Sequence, residues 1–221
     1  MSAAAPLRLA ILISGRGSNM SAIARACLDG KLAARVALVI ADRADAGGLA
    51  SAAGLGIPTA VIARGGARDA AAFEAALAAT LETQRPDAIA LAGFMRILSA
   101  GFVTRYLGRM FNIHPSLLPA YRGLHTHRRV LAARETRHGA SVHFVTAELD
   151  GGPVVLQSRL AVLPADTEAT LSARVQATEH IIYPQVLAWF AQRRLAWRDG
   201  AAWLDGRQLQ TPIVEDFLAP A

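Results

Sequence analysis

LRLAILIS at residues 7–14 runs directly into GRGSN at residues 15–19. The first run is almost wholly aliphatic, as expected of a strand covered by helices on both faces. The second supplies two glycines and two small polar residues where a strand turns into a helix. Such a turn lets backbone approach a phosphate, and the new helix aims unpaired N–H groups and its positive dipole end at it. Ser18 or Asn19 can cap that helix while touching the ligand. The pattern is not a full dinucleotide fingerprint, because Met20 stands where G-x-G-x-x-G needs its last glycine. The G-K-[ST] ending of a P-loop is missing as well. An ordinary tight strand–helix turn is the plain alternative to a phosphate site.

Outward from this stretch the pattern repeats. A helix over 19–29 stops at Gly30, and RVALVIA at 35–41 is a second buried strand. A short helix over 50–55 and a strand over 59–63 follow. The alanine-rich run 69–84 is a strong helix former stopped by Pro86. DAIAL at 87–91 reads as a fourth strand, a helix runs from the Gly93 turn to about 107, and 110–114 is a fifth strand. Strands alternating with helices predict an α/β fold, a doubly wound and mostly parallel Rossmann-like sheet. Ligands of such sheets sit beyond the carboxyl ends of the strands, here 14–19, 92–98 and 112–114.

The second half reads differently. SLLPAYRGLHTH at 116–127 is a long polar loop. Residues 128–137 look helical, 140–145 and 154–163 are strands joined by AELDGGP, and a helix over 167–193 is bent at Pro184. D-G pairs at 199–200 and 205–206 mark a small hairpin.

Composition narrows the classes. At 221 residues, 53% hydrophobic and 18% charged, the chain can bury a large core and is not disordered. The net charge is +6, and Lys31 is the sole lysine among 23 basic residues. The arginines form no run longer than two, and aromatics are 6%, so small anions rather than nucleic acid are the expected partners. Cys27 is the only cysteine, which excludes an intrachain disulfide and suits a reducing compartment. Residues 7–14 are too few to span a bilayer and lack a basic leader, so the expectation is a soluble, cytoplasmic protein without membrane contact.

Asn112 and His114 stand two apart on the fifth strand, so both side chains share one side of it. A histidine there suits general acid–base work, and an asparagine amide can hydrogen-bond an oxyanion. Asp150, if folded against His114, favours the imidazolium. Spacing alone equally allows a strand-capping histidine and an aspartate in a D-G-G turn. His125 and His127 lack a carboxylate or cysteine at ligand spacing, which favours loop packing over metal. His143 reads as a satisfied core group and Cys27 as core. Gln176, Glu179 and His180 read from spacing as a solvated helix face.

Taken together, ILISGRGSN (11–19), LAGFMRIL (91–98), FNIHPSLLPAYRGLHTH (111–127), HGASVHFVTAELDGGPVVLQ (138–157) and AAWLDG (201–206) resemble the phosphoribosylglycinamide formyltransferase family. The resemblance runs from Leu7 to about Gly206. It implies a Rossmann-like formyltransferase fold, a single domain of two lobes: a tail at 1–6, a nucleotide-binding lobe at 7–114, a folate-binding lobe at 115–206 and a tail at 207–221. It also implies transfer of a formyl group from 10-formyltetrahydrofolate, as co-substrate and without metal, to the amine of glycinamide ribonucleotide in de novo purine biosynthesis. Asn112, His114 and Asp150 would be catalytic. Gly17, Ser18 and Asn19, with Gln176 and Glu179, would hold the ribonucleotide, which replaces the solvated-face reading of that helix. Met95, Arg96, Ile97 and Leu98, with Thr146, Ala147, Glu148, Leu149 and Asp150, would meet the folate. A monomer or weak homodimer is implied.

The sequence departs from the family pattern at Ala70, where an arginine is common and Arg68 is the nearest substitute. Ala120 and Arg122 stand where lysine and proline are common. Loop 116–127 is expected to be mobile until folate binds. Other readings are a 10-formyltetrahydrofolate hydrolase, another folate-dependent formyltransferase, and a non-catalytic nucleotide-binding module. Six residues before the first strand and about 28 after Arg193 make the hydrolase and the tRNA-directed relative weaker expectations, since each would add a domain. The binding module has no need to pair Asn112, His114 and Asp150.

Overall fold

The computed structural model describes residues 5–63 and 70–217. Arg68, the proposed substitute for the family arginine, lies outside the described residues, as does Asp69. The chain divides into two compact units, Met1–Phe111 and Asn112–Ala221.

The first unit is built on β1 (Leu7–Ile13), β2 (Ala34–Ala41), β3 (Thr59–Val61) and β4 (Ala88–Leu91). These strands are all parallel, in the order β4-β1-β2-β3. The helices between them are α1 (Ser18–Leu28), α2 (Gly47–Gly54) and α3 (Ala70–Gln84), and α4 (Ala100–Arg105) follows β4. Leu9 to Ile13 are fully buried, which is why β1 is aliphatic rather than alternating. Each leucine and isoleucine side chain of that buried run is worth about 1.5–3 kcal/mol of burial. α4 is shorter than the sequence suggested. Gly93 takes a positive φ of 73°, and the Ser14 hydroxyl accepts from the Met95 N–H at 2.9 Å, so 92–98 is held as a loop across the end of β1. The helix begins only after Ser99, which caps the Phe102 N–H.

β5 (Met110–His114) leads into the second unit, which holds β6 (Arg137–Phe144), β7 (Val154–Ala161) and α6 (Glu168–Ala191). β6 and β7 are antiparallel, and α6 packs on both. α6 opens with a capping box between Thr167 and Thr170 and runs on through Pro184. The helix expected over 128–137 is instead α5 (Thr126–Ala132). Arg134 adopts a left-handed φ of 54°, which ends it, and β6 already starts at Arg137.

The expected hairpin is present as β8 (Leu195–Arg198) and β9 (Ala201–Leu204), joined by β10 (Arg207–Gln208) in a separate three-stranded sheet. Residues 207–221, read from sequence as a tail, also carry β11 (Ile213–Asp216), which pairs parallel with β7. Arg159 clamps Asp216 through two hydrogen bonds of 2.6 and 2.8 Å, and Gln185 donates to Glu215 at 2.5 Å. The main sheet has eight strands among the described residues and is mostly parallel. Among the described residues no helix is long and apolar enough to cross a membrane.

Candidate active site

At the end of β5, Asn112 is half-buried and His114 is 6% exposed. β6 brings His143 to the same place, and the register with β7 shifts between Val142 and His143. Such bulges re-aim side chains beside functional sites. The third member arrives on the loop between β6 and β7. Asp150 takes a left-handed φ of 48°, uncommon outside glycine, and its side chain is as buried as that of His114. Gly152 makes the approach possible: a Cβ there would lie 1.8 Å from the Phe144 carbonyl oxygen. Only a glycine lets the loop fold this tightly against the end of β6.

The resulting cluster is compact. Asp150 Oδ2 lies 3.4 Å from His114 Nδ1 and accepts from the Gly123 N–H at 3.0 Å. His114 Nε2 sits 3.0 Å from the Tyr121 carbonyl. Both ring nitrogens of His114 therefore face oxygen atoms. Asn112 Nδ2 lies 3.2 Å from His143 Nε2, while His143 Nδ1 lies 2.8 Å from the Phe144 carbonyl. Burial lowers the His143 pKa to about 4, so its ring is neutral.

The loop after β5 is tied down at its start. Ser141 Oγ donates to the Ser116 carbonyl and accepts from the Leu118 N–H, and Gln157 donates to the Leu118 carbonyl at 2.9 Å. Further on, Arg122 pairs with exposed Glu148, and the Tyr121 hydroxyl donates to Glu135 at 2.7 Å.

The other histidines take separate roles. His127 Nδ1 and His138 Nε2 lie 3.0 Å apart, so one ring donates to the other. Burial pushes both pKa values down, that of His138 to about 4. No group of three His, Cys, Asp or Glu side chains among the described residues could hold a metal ion. Cys27 is half-buried in α1, and burial raises its pKa to about 11.

In the first unit, Gly17 is the N-cap of α1 with φ 72° and brings no side chain of its own to cap that helix. A Cβ on Gly17 would stand 2.8 Å from the Gly48 Cα, and the Gly48 N–H donates to the Gly15 carbonyl at 3.0 Å. The turn therefore packs directly on the start of α2. Ser18 is half-buried and Asn19 buried. Met95 and Ile97 are 70% and 81% exposed, whereas Leu98 is buried. The Arg96 guanidinium is committed to Asp42 at 2.7 Å and lies 4.8 Å over the Phe73 ring. In the second unit, Ala147, Glu148 and Leu149 are exposed and Thr146 half-buried. Glu179 on α6 is only 7% exposed and Gln176 half-buried, so the solvated-face reading does not hold for Glu179. That part of the helix packs inward with Thr178, which bonds Ser158 at 2.7 Å.

A family model described as formyl transferase matches residues 7–187. The phosphoribosylglycinamide formyltransferase of Escherichia coli strain K12 is 49% identical over 203 residues, 92% of this chain and 96% of its own. The chain belongs to the formyl transferase family. Among solved structures, phosphoribosylglycinamide formyltransferase from Coxiella burnetii is 48% identical, with a TM-score of 0.90 over 95% of this chain and 99% of that one. Glycinamide ribonucleotide transformylase 1 from Symbiobacterium toebii is 40% identical, with a TM-score of 0.87 over 91% and 95%.

For this formyl transferase, sequence reasoning singled out Asn112, His114 and Asp150 and missed how two other residues serve them. His143 is the satisfied core group expected, yet one of its partners is Asn112. Gly152 was read only as part of a turn. The signal for Gly152 was the G-G pair in the loop after β6, whereas that for His143 lies in the placing of β6 beside β5, which chain order alone does not give.

Proposed function

We propose that this formyl transferase carries the formyl group of 10-formyltetrahydrofolate to the amine of glycinamide ribonucleotide, giving formylglycinamide ribonucleotide in purine biosynthesis. The observation that carries this reading is the cluster of Asn112, His114 and Asp150, two hydrogen-bond donors beside a buried carboxylate.

The reaction needs three services from the chain. A neutral amine attacks the formyl carbon, and the carbonyl oxygen becomes an oxyanion. Asn112 Nδ2–H and His114 Nε2–H are the donors that stabilise it. The amine then loses a proton, the bond from carbon to the folate nitrogen breaks, and that nitrogen gains a proton. Asp150, 3.4 Å from His114 Nδ1, holds that ring in place and relays the proton, directly or through water. His114 Nε2 now faces the Tyr121 carbonyl, so that bond must open before Nε2 can reach an oxyanion. Buried Ser141 and Gln157 hold residues 116–118, whereas Tyr121–Glu135 and Arg122–Glu148 are exposed side-chain bonds, so the movement falls to the stretch 120–125 despite the Gly123 N–H bonded to Asp150.

The first lobe would take the ribonucleotide phosphate at Gly17, Ser18 and Asn19, with Gln176 and Glu179 serving the ribose side. Exposed Met95 and Ile97, with Thr146 to Asp150, would meet the folate. Arg96, whose guanidinium pairs with Asp42, and Leu98 would complete that folate-facing stretch. We further infer a cytoplasmic protein that acts as a monomer or weak homodimer, without metal. Formyl transfer to glycinamide ribonucleotide, followed by the appearance of tetrahydrofolate, tests the reading. Release of formate at the same rate without the amine acceptor would instead make the protein a hydrolase.

A further inference from the structure

Asn112 can serve an oxyanion only if its amide presents nitrogen rather than oxygen, and at the end of β5 the chain alone does not decide which. The neighbour that decides is His143. Its Nδ1 lies 2.8 Å from the Phe144 carbonyl, which can only accept, so Nδ1 carries the proton. Nε2 is then a lone-pair acceptor, 3.2 Å from Asn112 Nδ2. One amide hydrogen goes to His143 and the other is left for a ligand. His143 is 2% exposed and fixed by the β6–β7 register, so it makes a rigid support.

We propose that His143 is a positioning residue for formyl transfer: its Nε2 lone pair fixes the orientation of the Asn112 amide. The proposal rests on the reading of Asn112 as an oxyanion donor. A ring protonated on Nε2 would reverse the amide and turn Asn112 Oδ1 toward His143. The charged groups around the ring are Asp150, whose Oδ1 lies 3.9 Å from Nε2, His114 and Arg122. Burial outweighs the pull of Asp150, so the ring stays neutral at working pH.

The test is a cycle of steady-state kinetics on the full chain with both substrates. Asn112→Ala measures the amide donor. His143→Phe removes the acceptor while filling the space, and His143→Gln returns an acceptor at the Nε2 position. His143→Phe should lower kcat about tenfold to a hundredfold, with KM for either substrate within about threefold. His143→Gln should recover most of that loss. In the Asn112→Ala background, His143→Phe should cost little more, because the group it orients is gone. Full additivity, or a wild-type kcat in His143→Phe, overturns the proposal while leaving the Asn112 reading intact. A wild-type kcat in Asn112→Ala overturns that reading and the proposal with it. Should His143→Phe fail to fold, long-range ¹H–¹⁵N spectra of the wild-type ring decide: a proton on Nδ1 supports the assignment, and a proton on Nε2 overturns it.

Discussion

Gly152→Ala perturbs the approach of Asp150 to His114 without touching either side chain. The added Cβ would stand 1.8 Å from the Phe144 carbonyl oxygen. A close carbon–oxygen contact is about 3.3 Å, so the loop must retreat by about 1.5 Å. Phe144 cannot absorb the change, because it is fully buried and its N–H is bonded to the Pro153 carbonyl at 3.1 Å. Asp150, two residues upstream, moves with the loop. Its separation from His114, now 3.4 Å, then exceeds the reach of an ion pair. A displacement of about 1 Å at reacting groups costs about 10²-fold in rate, and overpacking costs about 1–3 kcal/mol of stability. The assay is single-turnover formyl transfer at saturating substrates, with a melting curve to show that the fold survives. A folded Gly152→Ala protein with wild-type turnover would refute the argument that this glycine sets the cluster.

Two further outcomes follow from the same structure. Burial holds the pKa of His138 and His143 down to about 4, whereas the unfolded chain takes protons near 6.5. Their contribution is complete above pH 6.5, declines as pH falls because only the unfolded state gains protons, and is fully lost near pH 4. Between pH 7 and pH 5 each should cost about 2 kcal/mol, read as a lower urea midpoint, and an unchanged midpoint would contradict it. In hydrogen exchange, a folate analogue should slow the amides of 120–125 far more than those of 116–118, which Ser141 and Gln157 already hold. Equal protection of both stretches would count against the pinned-start picture.

The parallel core was legible because doubly covered strands are continuous aliphatic runs, and β1, β2 and β4 announce themselves that way. Asn112 and His114 were legible because two residues on one strand side need no tertiary knowledge. What failed was local. The end of α5 depends on Arg134 entering the left-handed region, which arginine propensity does not signal. β11 is four residues after a proline, too short to read as a strand until β7 offers an edge. The length of α4 depends on a hydrogen bond from 81 residues away, between Ser14 and Met95. His143 could be read as core, but its hold on Asn112 is a property of strand register.

The most direct measurement is the single-turnover rate of formyl transfer to glycinamide ribonucleotide by His114→Ala and Asn112→Ala, each checked for an unchanged fold. Loss of an oxyanion donor predicts a fall of about 10²–10³ in each. Rates within a few-fold of wild type in either would mean that the chemistry takes place without this cluster.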